Sequence, residues 1–265
     1  MHNPAAVLCE RIGAVAVLRL NQPEADNALG RDVLTALQYH LNDIAADKSV
    51  RAAVLTGAGP NFSLGGDFDE FAEALSGDDR FGRTYCASRT AALASVVAGL
   101  YELPFPVIGA INGQAAGAGF SIALACDLRI AENRTRFHFA YGTLGASTDG
   151  GMSWLLPRII GHGKALTMLL EQPIIRAGKA LELGLVTELV SATELDQRAI
   201  AIAASLASNA PHTNQAAKRL LRGGEFRSLR DHMRDEHETF ADGLMSANMR
   251  RALLARDRGE IPTFE

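Results

Sequence analysis

The chain has 265 residues, enough to bury a sizeable core in one large domain or two. Its 26 basic and 30 acidic residues give a formal net charge of -4, so no positive field favours nucleic-acid binding. Cys9, Cys86 and Cys126 are odd in number and scattered, with no histidine at a spacing typical of zinc. The composition therefore argues against a nucleic-acid-binding protein, a disulfide framework and a metal site.

The N-terminal segment, MHNPAAVLCERIG, has no basic stretch followed by an apolar one. No apolar run in the chain reaches membrane-spanning length. We therefore expect a cytoplasmic protein without a membrane partner.

The first part of the chain alternates strands and helices. Apolar runs predict strands at Val15–Leu20 and Val50–Thr56, and apolar residues at helical spacing predict an amphipathic helix at Arg31–Ala46. Strand, helix and strand in this order are typical of a parallel sheet with right-handed crossovers. Two further helices are predicted at Asp69–Leu75 and Arg83–Leu100.

The central stretch runs from Phe105 to Ile130. Val107–Ile111 predicts a buried strand, and Gly117-Ala118-Gly119 leads into a buried helix at Phe120–Ala125. A strand, a glycine-rich loop and a helix N-terminus direct unpaired N–H groups at one point, where they can hold negative charge. Close packing of a helix on a strand needs the same small residues, so for this stretch by itself both interpretations stay open.

The last part of the chain becomes helical after a short strand at Asp127–Ala131, a glycine-rich segment and a final strand at Leu185–Val190. The predicted helices beyond Thr193 are Leu195–Ala207, His212–Arg222, Leu229–Leu244 and Asn248–Arg258. Because they have no sheet to cover, we expect them to pack partly on a neighbouring subunit. This divides the chain into an α/β core at residues 1–192 and a helical oligomerisation region at 193–265.

Two glycine-rich turns, Leu64-Gly65-Gly66-Asp67 and Gly117-Ala118-Gly119, each follow a strand of the same predicted sheet. The ligand of an open α/β sheet lies beyond the carboxyl ends of its strands, so both turns should face one crevice. One N–H from each would form a two-donor oxyanion hole, each donor contributing roughly 3–4 kcal/mol to transition-state stabilisation. Such a hole suits a reaction that builds charge on a carbonyl oxygen.

The chain resembles the crotonase family (enoyl-CoA hydratase/isomerase) through segments that match in order over nearly its whole length. They are NQPEADNAL, VRAAVLTGAGPNFSLGGDF, PVIGAINGQAAGAGFSIALACDLRIA, TDGGMSWLLPRIIG and the ending PTFE. The resemblance implies an α/β superhelix of stacked ββα turns with a helical C-terminal trimerisation region, in a homo-trimer or a dimer of trimers. It also implies an acyl-coenzyme A substrate, with coenzyme A as part of the thioester and no separate cofactor.

Matched position by position, the resemblance places the two oxyanion donors at the N–H groups of Gly66 and Ala118. Ala118 replaces a glycine common in the family, which costs nothing if its φ is negative. The residues implied to contact substrate are Ala25, Gly65, Asp67, Phe68, Gly117, Ser121 and Tyr141. Family members often carry a basic residue where this chain has Asp26, which leaves the nucleotide contacts open.

Two departures from the family pattern concern the acid–base groups. Hydratases of the family use two glutamates, and the matching positions here hold Ser121 and Tyr141. A serine is not a useful base near neutral pH and tyrosine titrates near 10, so the usual hydration machinery is absent. Other acids nearby, Asp127 and Glu132, fall in or just after a strand that leaves the site, and we expect structural or solvated roles for them.

Asp149 is the remaining acidic candidate, in a turn before an apolar helix. It could be a helix N-cap or a turn aspartate. The resemblance places an acidic proton shuttle at this position in some double-bond isomerases and an aspartate nucleophile in 4-chlorobenzoyl-CoA dehalogenases. Between apolar walls its pKa would rise, and it could serve first as a base and then as an acid.

Other candidates have simpler interpretations. His138, between aromatic residues, is expected in the core or at its rim. Trp154 could line the acyl pocket, but its helical spacing favours a core position. The run Arg227–His237 is mixed in charge, which is typical of a solvated or intersubunit face.

The resulting hypothesis is a double-bond isomerase that stabilises a thioester enolate through Gly66 and Ala118 and shuttles a proton through Asp149. The alternatives are a hydratase with atypical acid–base groups and a non-catalytic acyl-CoA-binding paralogue. A dehalogenase is disfavoured because residues 85–100 contain no histidine to partner the nucleophile.

Overall fold

The computed structural model of the protein describes residues 4–224 and 227–264. The strands are β1 (Val7–Ile12), β2 (Val15–Leu20), β3 (Ala52–Gly57), β4 (Val107–Ile111), β5 (Gln114–Ala116), β6 (Leu128–Glu132), β7 (Arg136–His138), β8 (Ile175–Arg176) and β9 (Glu188–Val190). They form a large sheet in the order β1-β2-β3-β4-β6-β9 and a small sheet in the order β5-β7-β8.

The helices surround these sheets. They are α1 (Arg31–Ala46), α2 (Phe68–Leu75), α3 (Asp79–Glu102), α4 (Ala118–Ala125), α5 (Tyr141–Leu144), α6 (Met152–Ile160), α7 (His162–Glu171), α8 (Ala177–Glu182), α9 (Leu195–Ala207), α10 (Pro211–Gly223), α11 (Leu229–Leu244) and α12 (Ala247–Arg258). Within the described ranges, no helix is long and apolar enough to cross a membrane.

The large sheet is parallel from β2 to β9, and β1 pairs antiparallel with β2. This confirms the parallel sheet predicted from the strand–helix–strand order. Alternate residues of each strand face opposite sides. Leu18 and Leu55 face the main core with α1, whereas Val17 and Val54 face a second apolar layer covered by α9.

The chain repeats a unit of two strands and a helix. In each unit the first strand joins the large sheet, the second joins the small sheet, and a helix follows: β4, β5 and α4 form one unit, and β6, β7 and α5 the next. In the unit that starts with β3, Ser63 makes a single parallel bridge to Ala115 instead of a full second strand. The units stack, which gives the predicted ββα superhelix.

This stacking corrects one expectation about the glycine-rich turns. The turn at Gly117 follows β5 of the small sheet, and the turn at Gly65 follows the Ser63 bridge to the same sheet. Neither follows a strand of the large parallel sheet directly, because the chain turns at Asn112-Gly113 and adds a short strand first.

The first helix after Thr193 also differs from expectation. Leu195, Ala199, Ala203 and Ala207 of α9 are buried in the second apolar layer against the large sheet. The expectation that this region has no sheet to cover is therefore wrong for α9.

The last three helices, α10, α11 and α12, fit the expectation of helices that have no sheet to cover. Among the described residues, α10 and α11 bury none and α12 buries only Ala255. Large apolar side chains remain exposed on them: Leu221, Leu229, Met233, Phe240, Leu244, Leu253 and Leu254. The division of the chain at residue 193 and the oligomeric state stay predictions.

Candidate active site

The two glycine-rich turns lie side by side because the small sheet brings their preceding segments together. The N–H of Ala116 donates to the carbonyl of Ser63 at 2.9 Å, and the N–H of Ser63 donates to the carbonyl of Gln114 at 3.2 Å. From this ladder one segment continues into Gly65-Gly66 and the other into Gly117-Ala118.

Glycine is required immediately before each proposed donor. Gly65 has φ +96° and Gly117 has φ +48°, a region that side-chain-bearing residues rarely adopt. A Cβ on Gly65 would also lie 2.7 Å from the carbonyl oxygen of Ala116 and 3.3 Å from the nitrogen of Ala118. The two turns are therefore in direct backbone contact.

The N–H groups of Gly66 and Ala118 have no hydrogen-bond acceptor within residues 4–224 and 227–264. Ala118 is the first residue of α4, and its φ is not positive, so an alanine fits this position as expected. The helix dipole adds partial positive charge at the same end. Two such donors can stabilise a developing oxyanion.

The acid–base candidates form one hydrogen-bonded cluster. The Tyr141 hydroxyl donates to Oδ1 of Asp149 at 2.9 Å. The Ser121 hydroxyl donates to the backbone carbonyl of Asp149 at 3.0 Å and lies 3.4 Å from the Tyr141 oxygen. Ser121 and Tyr141, which the resemblance matches to the family glutamates, thus both contact Asp149.

The turn that carries Asp149 is fixed by two glycines. Gly150 and Gly151 have φ +56° and +75°. A Cβ on Gly150 would lie 2.8 Å from Cβ of Ser121 and 3.1 Å from Cδ2 of Leu93, so the turn packs tightly on α4 and α3. The N-cap of α6 is Gly151, without a side-chain hydrogen bond, so Asp149 does not cap this helix.

The electrostatics of the cluster follow from burial and from one hydrogen bond. Burial raises the pKa of the Asp149 carboxyl, and the hydrogen bond from Tyr141 opposes that shift. The pKa of Tyr141 is raised, first by burial and then by the Asp149 charge. Tyr141 therefore stays a hydrogen-bond donor, and burial shifts the Asp149 carboxyl toward its protonated form.

The residues expected to contact the nucleotide end of the substrate lie next to the Gly65 turn. The Leu64 N–H donates to the carbonyl of Asp26 at 3.1 Å, which joins this loop to the 3-10 turn ending at Ala25. Ala25 and Phe68 are exposed beside it. Asp67 instead caps α2, since its side chain accepts the N–H groups of Asp69 and Glu70.

The other acids have structural roles, as predicted. Asp127 pairs with Lys218 and Arg222, each at 2.6 Å, and so ties α10 to the core. Glu132 accepts the N–H of Gly113 at 2.8 Å.

The predicted positions of Trp154 and His138 compare differently with the structure. Trp154 is 41% exposed, so its predicted core position is wrong; it lies on the surface of α6, with the Arg158 guanidinium over its ring at 3.6 Å. His138 is partly buried at the rim, and its carbonyl accepts the N–H of Gly117 at 3.0 Å. Burial lowers the pKa of His138.

Sequence reasoning missed the contribution of α3. Leu93 lies against Gly150 and Val97 lies against Gly151, so α3 packs on the turn that carries Asp149. Their only signal in the sequence is apolar spacing on a predicted helix, which is the same for any core position.

Two backbone donors without an acceptor in the described residues, and a partly buried carboxyl hydrogen-bonded to Tyr141, are groups that suit reactions at a carbonyl carbon and its neighbours. A family model of enoyl-CoA hydratase/isomerase matches residues 10–258. The chain belongs to this family, the crotonase family, and is an acyl-CoA-processing enzyme of it.

Individual relatives cover nearly the whole chain. The short-chain-enoyl-CoA hydratase of Clostridium acetobutylicum is 34% identical over 94% of this chain and 93% of its own. The 4-chlorobenzoyl coenzyme A dehalogenase-2 of Arthrobacter sp is 30% identical over the same shares. The crystal structure of an enoyl-CoA hydratase from Polaromonas sp. JS666 matches with a TM-score of 0.91 at 30% identity, covering 98% of this chain and 99% of that one.

Proposed function

We propose that the protein is an enoyl-CoA isomerase that moves a double bond along an acyl-CoA thioester. The Asp149 carboxylate removes a proton from the α-carbon of a 3-enoyl thioester. The resulting dienolate carries its negative charge on the thioester oxygen, which accepts the N–H groups of Gly66 and Ala118. Protonated Asp149 then returns the proton to the γ-carbon, so the enzyme ends in its starting state.

The observation that supports this proposal is the Ser121–Tyr141–Asp149 cluster. Asp149 is its single carboxyl group, and Tyr141 holds one of its oxygens at 2.9 Å. Isomerisation needs one group that takes up and returns a proton, whereas hydration in the family pattern needs two acids. Burial raises the pKa of Asp149, which suits a group that works in both directions.

Hydration is the second candidate, because the relatives named above include hydratases. It would require Asp149 to activate water without the help of a second carboxyl, since Ser121 and Tyr141 occupy the other two positions. A non-catalytic acyl-CoA-binding protein would keep the two donors and need no base, so the paired Asp149 argues for the enzyme.

Dehalogenation is supported by one named relative, and Asp149 stands where the resemblance places the nucleophile. The α3 side chains that face the Asp149 turn are Leu93 and Val97, which offer no base for that reaction.

We further propose a homo-trimer or a dimer of trimers. The exposed apolar side chains of α10, α11 and α12, such as Leu221 and Phe240, support a subunit interface formed by these helices.

The test is proton exchange in deuterated water, followed by NMR, with crotonyl-CoA and 3-hexenoyl-CoA as substrates. We expect bond migration with deuterium entering the α- and γ-positions, lost in Asp149→Asn while acyl-CoA affinity stays near that of the wild type. Asp242→Asn, at an exposed position of α11, serves as the matched control. A hydrated product would establish the second candidate, and tight binding without either reaction would indicate a binding protein.

A further inference from the structure

The face of α3 that packs on the Asp149 turn continues to the start of α6. Leu93, Val97 and Tyr101 are four residues apart, so they lie on one face of α3, and the first two contact the glycines of the turn. The Tyr101 ring lies 5.5 Å from the Trp154 ring, measured between centres, and the two planes cross at 87°. This edge-on arrangement is favourable for an aromatic pair. The same helix therefore supports both the turn and the first part of α6.

The Asp149 turn depends on its flanks because it contains two adjacent glycines. Gly150 and Gly151 have no side chain to pack, and glycine has the widest backbone freedom. On the α6 side, the N–H of Met152 donates to the carbonyl of Asp149 at 3.2 Å, and the N–H of Trp154 donates to the carbonyl of Gly151 at 3.0 Å. The position of the first turn of α6 thus helps to fix the backbone of Asp149.

Tyr101 is held from the side of α10. The Arg222 guanidinium lies over the Tyr101 ring at 3.6 Å, and its Nη1 donates to the backbone carbonyl of Tyr101. The Nη2 of Arg222 lies 2.6 Å from Oδ1 of Asp127. A planar guanidinium that contacts a ring face and a carboxylate at once has little freedom to move. These contacts connect α10 to the first turn of α6 through two aromatic rings.

We propose that Trp154 and Tyr101 are positioning residues for Asp149, and that Arg222 extends this support to α10. The inference rests on the proposed function for the role of the Asp149 carboxyl. The two rings limit the motion of the glycine turn, so that the carboxyl keeps its place beside the Tyr141 hydroxyl. Moving a reacting group by about 1 Å can lower a rate by about 10²-fold, so restraint of this turn affects the chemistry directly.

The test measures hydrogen exchange at the Met152 amide. This N–H is bound to the carbonyl of Asp149, so its exchange reports opening of the turn. In Trp154→Ala we expect it to exchange up to about 10-fold faster, the effect of losing one aromatic contact. The change should be larger than that at the amides of Leu18 and Val54 in the large sheet. Trp154→Phe, which keeps a ring at the contact, should restore most of the protection.

Steady-state kinetics of the isomerisation provides a second readout. In Trp154→Ala we expect kcat to fall about 10-fold and KM to stay nearly unchanged, because the base is misplaced while the oxyanion donors are not. Arg222→Gln should change exchange and kcat in the same direction. Arg219→Gln is the matched control, since this arginine of α10 donates to Thr239 of α11, and it should leave both readouts at their wild-type values.

Other outcomes would overturn the proposal. Unchanged exchange at Met152 and unchanged kcat in Trp154→Ala would remove the positioning role. Exchange that becomes faster by one common factor at Met152, Leu18 and Val54 would show that the rings contribute only to general stability. Wild-type values in Arg222→Gln would remove the connection to α10. A wild type without isomerase activity would overturn the proposed function, and the exchange result would still decide whether Trp154 holds the turn.

Discussion

The hydroxyl of Tyr141 lies 2.9 Å from Oδ1 of Asp149 and donates a hydrogen bond to it. Tyr141 is the first residue of α5, and Asp149 lies in the turn just before α6. The bond stabilises the ionised carboxylate, while burial favours the protonated form. The balance between these two effects sets the pH at which Asp149 can act as a base.

Tyr141→Phe removes the donor and keeps the ring. The pKa of Asp149 should then rise, because the carboxylate loses a stabilising hydrogen bond. Since the base form is required, the acid limb of the kcat/KM profile for isomerisation should move upward by about one pH unit. Tyr39→Phe, at an exposed tyrosine, is the control. An unchanged acid limb would mean that this hydrogen bond does not govern the ionisation that limits the rate.

Asp149→Asn should make the protein more stable near neutral pH. A folded-state pKa raised above the usual 3.8 means that the folded protein binds more protons than the unfolded chain above that pH. The wild type therefore loses stability as pH rises through the window from 3.8 to the raised pKa. The Asp149→Asn protein has no such loss, because the asparagine amide does not titrate. We expect a gain of about 0.5–2 kcal/mol at pH 7, shrinking toward pH 4.

Urea unfolding of the two proteins between pH 4 and pH 8 measures this difference. Asp242→Asn should show no such pH-dependent gap, because that residue is exposed. A stability difference that is constant across the range would show that the carboxyl of Asp149 has no raised pKa in the folded state.

Gly150→Ala should damage both stability and activity. Alanine at φ +56° costs about 1–2 kcal/mol, and its Cβ would overlap Ser121 and Leu93. The overlap should displace the Asp149 turn and lower kcat/KM at least about 10-fold, since small misplacements of a catalytic group are costly. Gly145→Ala is the matched control, because Gly145 has φ +64° and no atom within 4 Å of its added Cβ. Equal activity of the two variants would show that tight packing of this turn is not needed for catalysis.

Long elements could be predicted from the sequence because their pattern repeats over several turns or residues. The predicted bounds of α1, α9, α11, β2 and β4 equal the observed ones. The strands β5, β7 and β8, of two or three residues, are too short to show a period and depend on their partners in the small sheet. The error in placing the glycine-rich turns followed from missing β5.

Backbone conformations in the candidate site were predictable from single residues, but the geometry of the site was not, and the roles of its residues stay predictions. The glycines Gly65 and Gly117, which precede Gly66 and Ala118, indicated unusual backbone conformations. Both Gly65 and Gly117 have positive φ. Nothing in the sequence indicates that Tyr141 contacts Asp149, and only the position of Gly151 as the N-cap of α6 excludes the capping role of Asp149.

Ala118→Pro tests the oxyanion hole at a position where proline suits the fold. Ala118 is the first residue of α4, where proline has the right φ and its missing N–H is not needed by the helix. The substitution removes one donor, so we expect kcat to fall about 10²–10³-fold. Ala118→Gly keeps the N–H and should retain most of the turnover while costing at most about 1 kcal/mol in stability.

Steady-state kinetics and thermal unfolding of both variants separate the effect on chemistry from the effect on folding. The expected pattern is a folded Ala118→Pro protein with nearly abolished turnover and an active Ala118→Gly protein. Wild-type turnover in a folded Ala118→Pro protein would show that the N–H at this position does not stabilise the transition state. The enolate would then need a donor other than the backbone of α4, and the match between the two glycine-rich turns would reflect close packing alone.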